Sequence, residues 1–175
     1  MSGAENENQE RWTFGLRLLS NQVPRASVRT TLTYRFHPRL TAGVEYNPRV
    51  GEVAPIANFL VLTETKRRPA IVVGTSSDRI GTPSGQSFSL TIGKSLRRAT
   101  GLPLAPYAGL AYGTFEKKLR PVGGVNVTFN KHFSALVTYN GVHVHPLFSF
   151  SYERHVLSLV MVRGREPGMS YSISF

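Results

Sequence analysis

A period of two runs through almost the whole of this chain and decides what it can fold into. In "SVRTTLTYRF", Val28, Thr30, Leu32, Tyr34 and Phe36 alternate with Ser27, Arg29, Thr31, Thr33 and Arg35. A helix returns its apolar residues every three or four positions, whereas a strand turns successive side chains to opposite faces. The same beat recurs in "RWTFGLRL", "RLTAGVEYN", "SFSLTIG", "GVNVTF", "FSALVTY" and "HPLFSFSY". Counted this way, the spacing predicts about twelve strands, with ten as the alternative count. They fall near 11–19, 27–36, 39–47, 54–64, 69–76, 86–95, 104–114, 119–129, 132–140, 142–152, 154–163 and 168–175. Those near 54–64, 69–76 and 154–163 are apolar on both faces, so alternation leaves their orientation open.

The connections follow a second rhythm. Every second one is tight ("HPR", "ETKRR", "NKH", "ER"), with "SLRRATGLP" the exception. The others are longer and richer in Gly and Pro, except for "NG" at 140–141, a type I′ hairpin signal. Short turns at one end and long loops at the other describe an antiparallel up-and-down meander. An even strand number then puts both termini at the short-turn end. No linker or composition shift divides the 175 residues, so the organisation is a polar leader over 1–10 and one β-barrel domain over 11–175.

Composition removes several classes of function. The chain has no cysteine, which excludes disulfide frameworks, thiolate metal sites and cysteine nucleophiles. No apolar run is long enough for a membrane helix, a test that says nothing about barrel strands. The opening "MSGAENENQERW" shows no apolar signal-peptide core, so either a secretory signal was removed or the protein stays in the cytosol. A net charge of +11 points to a polyanionic partner, either nucleic acid or a phosphate-rich membrane surface.

Two architectures fit alternating strands: a soluble barrel with an apolar inside, and a membrane barrel with an apolar outside. The polar faces discriminate. They are mostly small and uncharged: Ser87, Ser89, Thr91 and Gly93; Ser134 and Thr138; Ser170, Ser172 and Ser174. A water-exposed face should instead be about a quarter to a third charged. Lys and Arg collect in the connections (Lys66, Arg67, Arg68, Lys117, Lys118, Arg163, Arg165), and aromatics such as Trp12, Phe36, Tyr46, Tyr112 and Tyr152 sit near strand ends. The expectation is therefore an all-β transmembrane barrel.

The closing "GMSYSISF" sharpens that expectation. Gly168 is followed by Met169, Tyr171, Ile173 and Phe175 alternating with serines, and the last residue keeps the beat. This stretch resembles the C-terminal strand signal of Gram-negative outer-membrane β-barrels, in which a terminal Phe is recognised by the barrel-assembly machinery. The resemblance is to the class, not to one family within it. It implies an outer-membrane location, pairing of the last strand with the first, and lipid and lipopolysaccharide as surroundings. It implies no cofactor.

Three groups of residues carry candidate chemistry. Arg17, Arg29 and Glu45 project inward from consecutive strands near the long-loop end, either as a charge cluster that sets anion preference or as a neutralising ion pair. His143 and His145 lie two apart on one face, with Ser149 on that face as well. A metal site would need a third ligand, and a Ser–His hydrolase an oxyanion donor; neither is evident. The histidines read more simply as hydrogen-bonding groups lining the lumen. The loop "GTPSGQS" lacks the Lys and the following helix of a phosphate loop. Nucleic acid is disfavoured, because the aromatics alternate along strands instead of forming a stacking platform. The expected function is a small passive, porin-like channel with mild anion preference. The alternatives are a lipid-active barrel hydrolase and a soluble barrel binding an anionic ligand.

Overall fold

A computed structural model describes residues 10–20 and 23–175; the polar leader expected over 1–10 lies outside them except for Glu10. The first six strands are β1 (Trp12–Leu19), β2 (Val28–His37), β3 (Leu40–Asn47), β4 (Glu52–Leu62), β5 (Ala70–Ser77) and β6 (Gln86–Gly93). The second six are β7 (Leu104–Gly113), β8 (Lys118–Thr128), β9 (Phe133–Tyr139), β10 (Val144–Tyr152), β11 (His155–Val162) and β12 (Glu166–Ser174). Each pairs antiparallel with its chain neighbours, and β12 returns to β1, so the sheet is a closed twelve-stranded up-and-down barrel. The strand bounds lie within two residues of those the alternation predicts.

The closing ladder runs from Thr13↔Ser174 to Leu19↔Gly168. It sets Ser170, Ser172 and Ser174 opposite Arg17, Gly15 and Thr13 on the inner face, while Met169 stands on the outer face, 52 % exposed. The outer surface is apolar all round: Phe14, Leu32, Val44, Phe59, Phe88, Leu90, Leu110, Val137, Phe148 and Leu159 are all exposed there. Aromatic side chains gather toward the short-turn rim, where Trp12 packs on Tyr34, Tyr34 on Phe36, and Phe133 on Phe150. The residues withdrawn from solvent are largely polar: Glu45, Asn47, Asp78, Thr82, His145 and Ser158. Polar inside and apolar outside is the reverse of a soluble barrel.

The three strands that are apolar on both faces now acquire an orientation. In β4 Ala54 is buried and Val53 exposed, so even positions face in. A register shift between Leu60 and Leu62 then leaves both Val61 and Leu62 exposed, which is why no clean alternation shows there. In β5, Gly74 approaches the side chains of Asn58 and Ser89 and so faces in, whereas Val73 is exposed. In β11, Ser158, Val160 and Val162 are buried while Leu157 and Leu159 are exposed.

Two details depart from the expected picture. The "NG" connection is not a two-residue hairpin but a four-residue turn, 140–143, closed by the Asn140 N–H donating to the His143 carbonyl. Gly141 takes a φ of 88°, and the Asn140 Oδ1 accepts from the N–H groups of Val142 and His143, so the asparagine side chain caps the turn. Nor is the interior uniformly polar. Leu19, Val160 and Val162 form a buried apolar cluster toward the long-loop end, joined by Leu147 and by Ile80 from the β5–β6 connection. Their burial follows from that connection folding inward, so this part of the wall is covered by protein.

On the inner wall, Tyr107 of β7 reaches across β8 and its hydroxyl meets that of Thr138 of β9 at 2.6 Å. The ring lies over Gly124, its cross-strand partner, where a Cβ would come within 2.8 Å of the ring and 2.4 Å of the Val137 carbonyl oxygen. Gly124→Ala should therefore destabilise the barrel by about 1–3 kcal/mol, because neither ring nor backbone can yield fully. A lowered thermal midpoint by circular dichroism, with Tyr107→Ala in the same chain restoring part of it, checks this. An unchanged midpoint in the single variant would contradict it.

Candidate functional site

The inner face carries a continuous row of small polar groups that the cross-strand registers define. Ser134 pairs with Ser149, Ser149 with Ser158, Ser158 with Ser170, Ser170 with Arg17, and Arg17 with Arg29. Directly paired residues share a face. Because barrel strands tilt, a row perpendicular to them climbs along the axis. This one begins at Ser134, next to the short-turn end of β9, and ends at Arg29, next to the long-loop end of β2. The Ser149 and Ser158 hydroxyls are bonded to each other at 2.7 Å.

At the top of the row Arg17 and Arg29 stand directly opposite, an arrangement that repels unless a carboxylate intervenes. Glu45 supplies one. It lies opposite Thr31, hence diagonal to Arg29, and the Arg29 guanidinium is paired with its Oε2 while the Asn47 amide donates to its Oε1. Glu45 is wholly buried. Arg17 receives no such partner: its Nε is buried without a hydrogen bond among the described residues, as is that of Arg29. Two guanidiniums thus share one carboxylate. Arg17 and Arg29 both line a cavity of about 430 Å³ that also touches Thr31, Ser76, Asn140, His145, Ser170 and Ser172.

The structure therefore brings Arg17, Arg29 and Glu45 together, but it does not assemble His143, His145 and Ser149. His143 lies in the turn before β10. His145 is buried, with the Asn140 side-chain amide at its Nε2 (2.8 Å) and the Arg163 N–H at its Nδ1 (3.3 Å). The Asn140 oxygen is already occupied by two backbone donors, so its NH₂ must face the ring. The Arg163 N–H takes the lone pair at Nδ1, and the Nε2 edge lies against the Asn140 side chain. The ring anchors the turn, while the Ser149 hydroxyl is directed to Ser158. Among the described residues no three His, Asp or Glu side chains are grouped to hold a metal.

The cavity is covered by residues that the alternation could not single out. The short helix α1 (Pro24–Ser27), in the β1–β2 connection, starts on a proline, whose fixed φ suits a first helical position. It aims Arg25 into the β5–β6 connection. Arg25 is buried and donates to the carbonyl oxygens of Asp78, Arg79 and Thr82 and to the Thr82 hydroxyl. Burial lowers its pKa, opposed by the nearby carboxylates of Glu52, Glu45 and Asp78. The same connection reaches across the barrel mouth, since Ile80 packs against β1 and β11, half a turn of the sheet from β5. A second latch holds it from the β7–β8 turn: Glu116 accepts from Arg79 on one oxygen (2.6 Å) and from Arg120 on the other (2.9 Å).

No protein-family model matches the chain, and no curated protein sequence does.

The hydrogen bonds from Arg79 and then Arg120 hold the Glu116 carboxyl down at about 2. A carboxyl depressed on folding contributes stability that is complete above the ordinary glutamate range and is lost as pH falls through the depressed value. The latch should thus persist through mildly acidic solution and release only near pH 2. A carboxyl titration by carbon NMR should place the Glu116 midpoint near 2, and Arg79→Gln should raise it toward about 4. A wild-type midpoint near the ordinary value would contradict the latch.

Proposed function

We propose that this protein is an outer-membrane β-barrel acting as a narrow, anion-preferring passive channel that the β5–β6 connection restricts. The observation that carries this reading is the climbing polar row Ser134–Ser149–Ser158–Ser170 ending on Arg17 and Arg29. A packed structural interior would bury apolar side chains there. Hydroxyls can exchange hydrogen bonds with a moving hydrated ion, and the excess guanidinium favours negative ones.

The apolar outer face supports embedding in lipid. Exposed contiguous apolar surface on this scale is unfavourable in water, and closure satisfies the backbone groups that hydrocarbon cannot. In that setting the aromatic rim near Trp12, Tyr34 and Tyr152 would lie at an interface, and the basic turns near Lys66 and Lys94 would meet lipid phosphates. Lipopolysaccharide and phospholipids are then its surroundings, and the strand Glu166–Ser174, with its Met169, Tyr171 and Ile173 face, is the segment offered to the assembly machinery.

Reconstitution in planar bilayers under a potassium chloride gradient tests this. The wild-type barrel should show small currents whose reversal potential favours chloride, and Arg17→Glu should reverse the preference. Arg25→Ala, which removes one of the two polar latches on the β5–β6 connection, should raise the conductance severalfold. Silence from both wild type and Arg25→Ala, or unchanged selectivity in Arg17→Glu, would contradict the proposal.

A further inference from the structure

The cavity above the polar row has two chemically different walls. One carries Arg17, Arg29, Thr31, Ser170 and Ser172; the other carries Leu147, Val160 and Ile80. A pore wall serving hydrated inorganic ions has no need of the second. The volume, about 430 Å³, lies in the range of small-molecule sites. The space is roofed by the β5–β6 connection, which Arg25 and Glu116 hold in place. The polar wall also sets two guanidiniums, Arg17 and Arg29, against the one carboxylate of Glu45, with Arg79 and the Asp78 carboxylate on the roof above them. Glu45 is engaged by Arg29 and Asn47, leaving the Arg17 Nε buried and unbonded among the described residues. A buried guanidinium N–H without an acceptor, as at the Nε of Arg17 and of Arg29, costs free energy unless a ligand satisfies it.

We infer that this cavity is a binding site for a small organic carboxylate, its oxyanion on Arg17 and a compact apolar body against Ile80, Leu147 and Val160. A guanidinium presents its donors as a planar fork that matches a carboxylate. The Ser170 hydroxyl, opposite Arg17 in the closing ladder, stands beside the position the second carboxylate oxygen would take. The inference deepens the channel reading, for it names the class of solute the arginine cluster would retain; binding itself requires no conduction.

Benzoate serves as the probe, titrated calorimetrically into the folded barrel in detergent micelles, with acetate, inorganic phosphate and benzyl alcohol as comparators. Benzoate should bind at least about tenfold more tightly than any of the three. Arg17→Gln should remove that advantage while leaving the barrel folded, since the change deletes a buried Nε–H without an acceptor, and Arg17→Lys should restore part of it. Leu147→Asn should weaken benzoate and leave acetate unchanged. No benzoate binding up to about 20 mM, equal binding of acetate or phosphate, or full binding in Arg17→Gln would overturn the site. Bilayers that pass chloride while benzoate fails to bind would overturn the site and leave the channel standing. Benzoate binding by a barrel silent in bilayers would do the reverse.

Discussion

Everything else in this molecule depends on the ladder between its first and last strands. Pairing Thr13 with Ser174 and Leu19 with Gly168 leaves the sheet without an edge, so every strand finds both neighbours. An open twelve-stranded sheet with these sequences would have unpaired backbone along two edges and apolar side chains across one face, a template for aggregation. Closure makes the inversion of inside and outside workable. The outer face needs no polar groups to satisfy backbone, and the interior can hold Arg17, Arg29, Glu45 and His145 in a confined volume shielded by the wall.

Inside, charge and packing divide the barrel along its length. Near the short-turn end, small hydroxyls such as Thr13, Ser134 and Ser174 line a polar interior. Toward the long-loop end the arginine cluster and the apolar group around Val162 face one another under the β5–β6 connection. That cover is held by hydrogen bonds and ion pairs instead of a large apolar interface. Arg25 reaches three carbonyls of one connection from another, and Glu116 joins Arg79 to Arg120. Polar latches of this kind hold a defined position yet exchange readily with water once displaced. Such behaviour suits a cover more than a core.

The architecture was legible in the sequence because a half-turned strand writes its orientation into every second residue. "SVRTTLTYRF" and "GMSYSISF" could hardly be anything else, and their faces stand as the alternation has them. Where both faces are apolar, as in "VLSLVMV", the pattern is mute. There the interior of the closed end and the outer surface both take aliphatic side chains, and only the fold shows that Val160 and Val162 face in. Arg17, Arg29 and Glu45 could be placed on one side from parity alone. Arg25, Arg79 and Glu116 could not, because loop residues carry no period and their partners lie on distant connections. Pro24 before Arg25 marks a helical first turn, but nothing local says where that turn aims its guanidinium. The histidines show the opposite limit: their spacing on one strand was plain, but the capping role of Asn140, which claims His145, needed the turn geometry.

The central proposal is that the barrel's apolar outer face meets lipid and its polar inner face meets water. The chain has no cysteine, so single cysteines can be introduced and spin-labelled one at a time along β6 in reconstituted vesicles. Labels at Phe88, Leu90 and Ile92 should collide freely with oxygen and hardly at all with a polar nickel complex, and labels at Ser87, Ser89 and Thr91 should show the reverse. An accessibility profile without that period of two, or one with its phase inverted, would contradict the account.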